Sequence, residues 1–322
     1  MKVFLFPGQG SQEVGMGADL FESDPCFREL VALAGDLVGE DLERVSRRGP
    51  EKKLARTKYL QPLLVAVSLG YLRHLTERGL QPDVVLGHSL GEISALAAAG
   101  VVTAQEAVRI AAKRGELMEA AAARVDGAML VVTTENRSRL LDWLASAPAK
   151  EHVVLANDNA PTQIVLSGGR AALMAAAEVI AGGKLGRCRM LPVSGPWHSP
   201  VMAEAAICFE AWLRQLPLRE PQVTMLFNVT GGHTNSAAEI RSLICSALTR
   251  PVHWSRCMSV LRGMNPRSLF EIGPGSVLGG LARANNLCDA QVFHVTNLRG
   301  VDLAIDEICD SHRDGKRTRI EA

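Results

Sequence analysis

Nine residues constrain this chain more than any others: Val84-Val85-Leu86-Gly87-His88-Ser89-Leu90-Gly91-Glu92. A β-branched apolar run passes into Gly-x-Ser-x-Gly, and a small-residue helical pattern follows to about Ala99. Strand, tight turn and helix form the setting of a nucleophile elbow, which stands a serine on a strained turn at the top of a sheet. A Cβ at Gly87 or Gly91 would crowd the turn or the crossing of strand and helix. Ser89 then sits at the positive end of the helix dipole. The same pentapeptide also arises by chance in glycine-containing loops, and the flanking strand and helix weigh against that origin here.

With 322 residues, the chain suffices for one large domain with an insertion, or for two domains. Hydrophobic residues make up 47% and charged residues 21%, which suits a globular protein with a large core. The formal net charge of +1 gives no overall field for nucleic acid. The seven cysteines are scattered and form no Cys-x-x-Cys pair. That argues against a zinc site or disulfide framework and fits a reducing cytoplasm. The opening Met1–Pro7 has too short an apolar run for a signal peptide. No stretch approaches the roughly 18 apolar residues of a membrane span.

Residues 2–6 read as a buried strand. Pro7-Gly8-Gln9-Gly10-Ser11-Gln12 follows as a glycine-rich loop at its carboxyl end, where α/β sheets build active sites. It lacks the residues of a phosphate-binding loop. The alternative is an oxyanion-hole donor, the N–H of Gln9, to complement the N–H of Leu90 that an elbow supplies. Residues 15–58 read as helical and irregular, with a basic run from Arg44 to Lys58 that is a solvated face or a docking patch. Gln61 to Leu80 is expected to be a buried helix, closed by Gly79. Thr103 and Glu106 form a capping box for a helix over 104–123. That helix carries Arg114, a surface arginine or a fork for a carboxylate.

Residues 127–194 read as strand (128–134), helix (138–145), strand (153–156), strand (163–167), helix (171–181) and strand (188–193). This βαββαβ order belongs to the ferredoxin-like split unit. Asn157-Asp158-Asn159 is expected to be a turn, with Asn157 a candidate substrate contact. In Ser194-Gly195-Pro196-Trp197-His198-Ser199-Pro200 a histidine is held in a rigid loop before a helix. His198 is the candidate base for Ser89, with a structural histidine as the alternative. Further along, the chain reads as a strand over 223–229, a helix over 240–248, a helix opening at Pro251, a strand over 268–272 and a helix over 277–284. The residues from Asp310 are charged and expected to fray.

Taken in order, six motifs resemble those of the malonyl-CoA:acyl-carrier-protein transacylase family. They are Gly-Gln-Gly-Ser-Gln at Gly8–Gln12, Gly-His-Ser-Leu-Gly-Glu at Gly87–Glu92, Lys-Arg-Gly-Glu-Leu-Met at Lys113–Met118, Gly-Pro-Trp-His-Ser at Gly195–Ser199, Pro-Val-His-Trp at Pro251–Trp254 and Glu-Ile-Gly-Pro-Gly at Glu271–Gly275. The resemblance implies an α/β fold: a hydrolase-like core with a parallel sheet (1–126 and 196–309) and an inserted ferredoxin-like subdomain (127–195). Residues 310–322 are left as a charged, disordered tail.

It further implies malonyl transfer from coenzyme A to the phosphopantetheine thiol of an acyl carrier protein, with no bound cofactor and no metal. Ser89 would be the nucleophile, His198 the base, Gln9 and Leu90 the backbone oxyanion donors, and Arg114 the partner of the malonyl carboxylate. The family orients its histidine through the backbone carbonyl of a glutamine, and Ala247 stands at that position here. Trp197, bulkier than the family's usual phenylalanine, would disfavour branched extender units. An acyl hydrolase of the same fold, a non-catalytic binding module and an enzyme moving a different acyl group between carriers are the competing readings. Arg114 speaks against the first and third, and Ser89, His198 and Arg114 together speak against the second. A cytoplasmic monomer is expected.

Overall fold

The structure is a computed structural model and describes residues 1–145 and 153–317. Five parallel strands make the large sheet, in the order β7-β2-β1-β8-β9. They are β1 (Lys2–Phe6), β2 (Val84–Gly87), β7 (Thr224–Met225), β8 (Ser268–Ile272) and β9 (Gln291–Val295). Parallel strands are covered on both faces, so their sequences run apolar without alternation. Accordingly Phe4, Phe6, Val85 and Phe270 join one core cluster. Their neighbours Val3, Leu5, Val84, Leu86 and Leu269 join the other. The register pairs Val3 with Val84 and Phe6 with Gly87, which brings the Pro7–Gln12 loop alongside Ser89.

Helices α1 (Ala18–Ser23), α2 (Pro25–Val38), α3 (Leu42–Arg48), α4 (Glu51–Leu54) and α5 (Thr57–Glu77) lead from β1 to β2. α5 starts earlier than the expected Gln61, because the carbonyl of Arg56 already accepts the N–H groups of Tyr59 and Leu60. After β2 come α6 (Gly91–Ala98) and α7 (Ala104–Ala122), the latter opened by the Thr103–Glu106 capping box. α7 crosses α5 closely at Gly115, where a Cβ would lie 2.8 Å from the carbonyl oxygen of Thr57. That approach brings Arg114 into the interior.

The second sheet is antiparallel, with β4 (Val153–Ala160), β5 (Gln163–Gly169), β3 (Gly127–Thr133) and β6 (Arg187–Met190) side by side in that order. Helices α8 (Arg137–Ala145) and α9 (Arg170–Gly182) complete the ferredoxin-like βαββαβ unit. One sheet face packs on these helices through Leu130, Ile164 and Leu166. The other contributes Met129, Val131 and Val165 to the main core. The expected turn at Asn157–Asn159 is strand instead. The turn falls at Pro161-Thr162, and β4 continues past Asn157 because it is hydrogen-bonded on both sides. On its far side Val252 donates to Ala156 O at 2.8 Å and accepts from Asp158 N–H at 2.8 Å.

The chain then runs through a 3₁₀ turn (Pro200–Met202) into α10 (Ala203–Leu213), and on through α11 (Ala237–Ser246), α12 (Trp254–Gly263), α13 (Val277–Ala284) and α14 (Leu298–Arg317). β7 is much shorter than the expected strand over 223–229, because the chain turns away after Leu226 and carries Asn228 to the elbow. β6 likewise ends at Met190 rather than 193. β9 and α14 lie outside the elements read from the sequence. α14 runs to Arg317, past the expected fraying point at Asp310, and residues 318–322 lie outside the described residues. Among the described residues no helix is long and apolar enough to cross a membrane.

Candidate active site

Gly87 and Gly91 clear the space that the elbow needs. A Cβ on Gly87 would lie 2.0 Å from the carbonyl carbon of Gly91, and one on Gly91 would lie 2.0 Å from the carbonyl oxygen of Phe6. Between them Ser89 adopts φ 51°, a left-handed conformation uncommon for residues with a side chain. Its Oγ lies 2.8 Å from His198 Nε2. His198 Nδ1 lies 2.8 Å from the carbonyl oxygen of Ala247. A carbonyl only accepts, so Nδ1 carries the proton and Nε2 presents its lone pair to the serine hydroxyl. Ala247 therefore supplies the orienting carbonyl without any contribution from its side chain.

Arg114 is 3% exposed. Its Nη2 donates to Ser89 Oγ at 3.2 Å and its Nη1 donates to Gln61 Oε1 at 2.9 Å. Among the described residues no carboxylate forms an ion pair with it. Burial lowers its pKa to about 10, against the pull of Glu92. Glu92 is itself buried on α6 and pushed up to about 7 by that burial, although the N–H of Asn228 and the charge of Arg114 both oppose the rise. His198 is pushed down to about 3, first by burial and then by the Arg114 cation beside it. The imidazole is thus neutral at ordinary pH, with its Nε2 lone pair facing the serine hydroxyl.

On the opposite side the Gly8–Gln12 loop packs on the elbow. A Cβ on Gly8 would lie 2.4 Å from the carbonyl oxygen of His88. The side chain of Gln9 donates to Thr57 Oγ1 at 3.2 Å. The backbone N–H groups of Gln9 and Leu90 donate to no group among the described residues. Together these parts suit nucleophilic acyl transfer: an activated hydroxyl, an oriented base, free backbone donors and a buried cation.

Comparison with known proteins agrees with this chemistry. Residues 3–282 match the family model described as the acyl transferase domain. This chain belongs to that family. The acyltransferase is 36% identical over 287 residues to a malonyl CoA-acyl carrier protein transacylase of Haemophilus influenzae, covering 88% of this chain and 92% of the relative. It is 33% identical over 306 residues to the Bacillus subtilis protein of the same name, covering 95% and 96% of the two chains. Among solved structures it superimposes on the malonyl-CoA:acyl carrier protein transacylase of Xanthomonas oryzae with a TM-score of 0.89 and 36% identity, covering 95% and 98%. A malonyl-transacylase solved in complex with a type II polyketide acyl-carrier protein gives a TM-score of 0.87 at 33% identity, covering 95% and 99%.

Of the residues singled out from the sequence, the acyltransferase brings Ser89, His198, Arg114, Leu90, Gln9 and the Ala247 carbonyl to one place. Trp197 and Asn157 make no hydrogen bond to the Ser89–His198–Arg114 group. Trp197 is 4% exposed in the main core, its six-membered ring against Gly195. Asn157 lies within β4, its side-chain oxygen buried without a partner. Sequence reasoning missed Gln61, Glu92 and Asn228. Gln61 carried a signal, as a polar residue inside the apolar stripe of α5 and fully buried there.

Proposed function

We propose that this acyltransferase moves a malonyl group from coenzyme A to the phosphopantetheine thiol of an acyl carrier protein, through an acyl-Ser89 ester. The observation that carries the reading is Arg114: a buried guanidinium, without a carboxylate partner among the described residues, 3.2 Å from the nucleophile. A cation so placed favours an acyl group that ends in its own carboxylate. In this mechanism the malonyl carboxylate docks on Arg114 and the thioester carbonyl turns toward the N–H groups of Gln9 and Leu90. Ser89 attacks while His198 takes its proton. The tetrahedral intermediate collapses with return of that proton to the departing thiolate of coenzyme A. A carrier thiol then repeats the steps in reverse. Docking of a carboxylate also offsets the Arg114 charge that weakens His198, so the base strengthens as the correct substrate arrives.

Trp197 precedes His198 in the chain, and its proposed role is to narrow the acyl chamber, so methylmalonyl-CoA is expected to be a poor donor. For the acidic carrier the edge strand β6 is the preferred dock. Arg187 and Arg189 on that strand and Lys184 in the turn before it are exposed, with no ion pair among the described residues. Of the other basic run, Arg44, Arg47, Lys53 and Arg56 are already paired with glutamates. No resident cofactor or metal is invoked, and the enzyme is taken to act as a cytoplasmic monomer.

The test follows labelled malonyl from its coenzyme A thioester into carrier protein or water. Rapid discharge to the carrier with slow release to water is the expected result. Equal discharge to both would make the enzyme a hydrolase. Equal rates with methylmalonyl-CoA would remove the role given to Trp197, and an unchanged carrier KM after charge reversal at Arg187 and Arg189 would remove the docking site.

A further inference from the structure

Asn228 lies 139 positions from Ser89 in the chain, yet it touches the elbow at both ends of its strained turn. Its Oδ1 accepts the N–H of Ser89 at 2.7 Å, and its Nδ2 donates to the carbonyl of Gly87 at 2.8 Å. Its backbone N–H donates to Glu92 Oε1 at 2.7 Å, and its carbonyl accepts the N–H of His253 at 2.9 Å. The residue is 1% exposed. One side-chain amide therefore bridges the residues on either side of His88, and its own backbone is tied to α6 and to the start of α12.

We propose that Asn228 is a positioning residue, which holds Ser89 in its left-handed conformation and keeps the serine's own N–H out of the oxyanion hole. The charge developing on the thioester oxygen is then left to the N–H groups of Gln9 and Leu90. A side-chain residue at φ 51° persists only where its surroundings over-determine it. A primary amide is suited to this because it presents one acceptor and one donor in a fixed plane. Alanine would leave the N–H of Ser89 and the carbonyl of Gly87 without these partners, and the turn free to relax. A neutral aspartic acid can replace both contacts through its carbonyl and its hydroxyl. An ionised aspartate cannot donate, and would set a negative charge against the Gly87 carbonyl and the nearby Glu92. The charged and titratable groups around the position are His88 in the elbow, His198 against Ser89, Glu92 on α6, Arg114 on α7, and His253 and Cys257 at the start of α12.

The proposal rests on Ser89 being the nucleophile, and the experiment separates the two. Acylation by malonyl-CoA is timed for the parent, N228A and N228D between about pH 5.5 and about pH 8, each variant expressed as a ratio to the parent. N228A is expected to acylate about 10²-fold more slowly at every pH, with a KM for malonyl-CoA near the parent's because Arg114 is untouched. Burial at this 1% exposed position, beside the carboxyl of Glu92, raises the new carboxyl above its ordinary value. N228D should therefore be as slow at the upper end and should recover about ten-fold or more relative to the parent toward the lower end, as that carboxyl becomes neutral. A purely structural role would not produce that pH-dependent rescue. Parental rates in N228A, or a slow N228D with a flat ratio, would overturn the proposal. Should N228A fail to fold, the N228D profile decides alone. A parent that forms no adduct on Ser89 would instead overturn the functional reading itself.

Discussion

Ser89 and His198 both sit at positive φ, 51° and 57°, yet the fold holds them there by different means. The serine stands on a strand–turn–helix whose essential feature is missing side chains, since Gly87 and Gly91 let three backbone segments meet. The histidine stands in an irregular loop, and its ring is aimed by a carbonyl 49 positions away. The carrier of that carbonyl, the stretch before Val252, is tied to β4 of the small sheet. The elbow is therefore sensitive to any added atom. The histidine's support is sensitive to backbone position and indifferent to the side chain that bears the carbonyl.

The largest expected effect is at Gly91. In G91A the new Cβ meets the backbone oxygens of Phe6 and Pro7 at 2.0 and 2.8 Å, and neither can move cheaply. A loss of about 3 kcal/mol or more, read from urea unfolding, is expected, or no folded protein at all. A variant within about 1 kcal/mol of the parent would break the contrast.

Next comes Arg114, which serves both halves through Ser89 Oγ. R114A should lower kcat/KM for malonyl-CoA by about 10²-fold and for acetyl-CoA by much less. Equal losses for the two donors would mean that the guanidinium supports the serine and does not read the acyl group.

The histidine side has its own signature in pH. Burial holds His198 down to about 3 in the fold, against an ordinary value of 6.5. Between those values the unfolded chain binds a proton that the folded chain does not. The stability this group contributes is full above 6.5 and is lost as pH falls toward 3. Glu92, pushed up to about 7 from 4.5, works the other way, but it is present in parent and variant alike. The difference in unfolding free energy between the parent and H198Q should therefore change by about 1 kcal/mol per pH unit between about pH 4 and about pH 6, to the parent's disadvantage at low pH. A pH-independent difference would show that the ring is not buried neutral.

The smallest expected effect is at Ala247. A247S keeps the carbonyl that orients His198 Nδ1, and acylation within about two-fold of the parent is expected. A loss comparable to that of R114A would show that the side chain at this position matters after all.

This division also explains what the sequence revealed. The elbow was legible because its physics is local: glycine spacing, an apolar strand and a small-residue helix all lie within Val84–Ala99. The βαββαβ order of the small sheet followed from periodicity for the same reason. Asn157–Asn159 misled because turn-forming residues were placed in a strand by partners on both edges, one of them the distant Val252. The Ala247 carbonyl emerged only through family resemblance, since no side chain marks a functional carbonyl. Asn228 and Glu92 were hidden because each acts through contacts that fold topology creates: a shortened β7 delivers the first, and the second faces inward beside Arg114.

The central claim is that Ser89 carries the acyl group. Its most direct test is the intact mass of the parent and of S89A after brief mixing with malonyl-CoA. A single malonyl adduct on the parent and none on S89A is the expected result. An adduct on both proteins, or on neither, would contradict it.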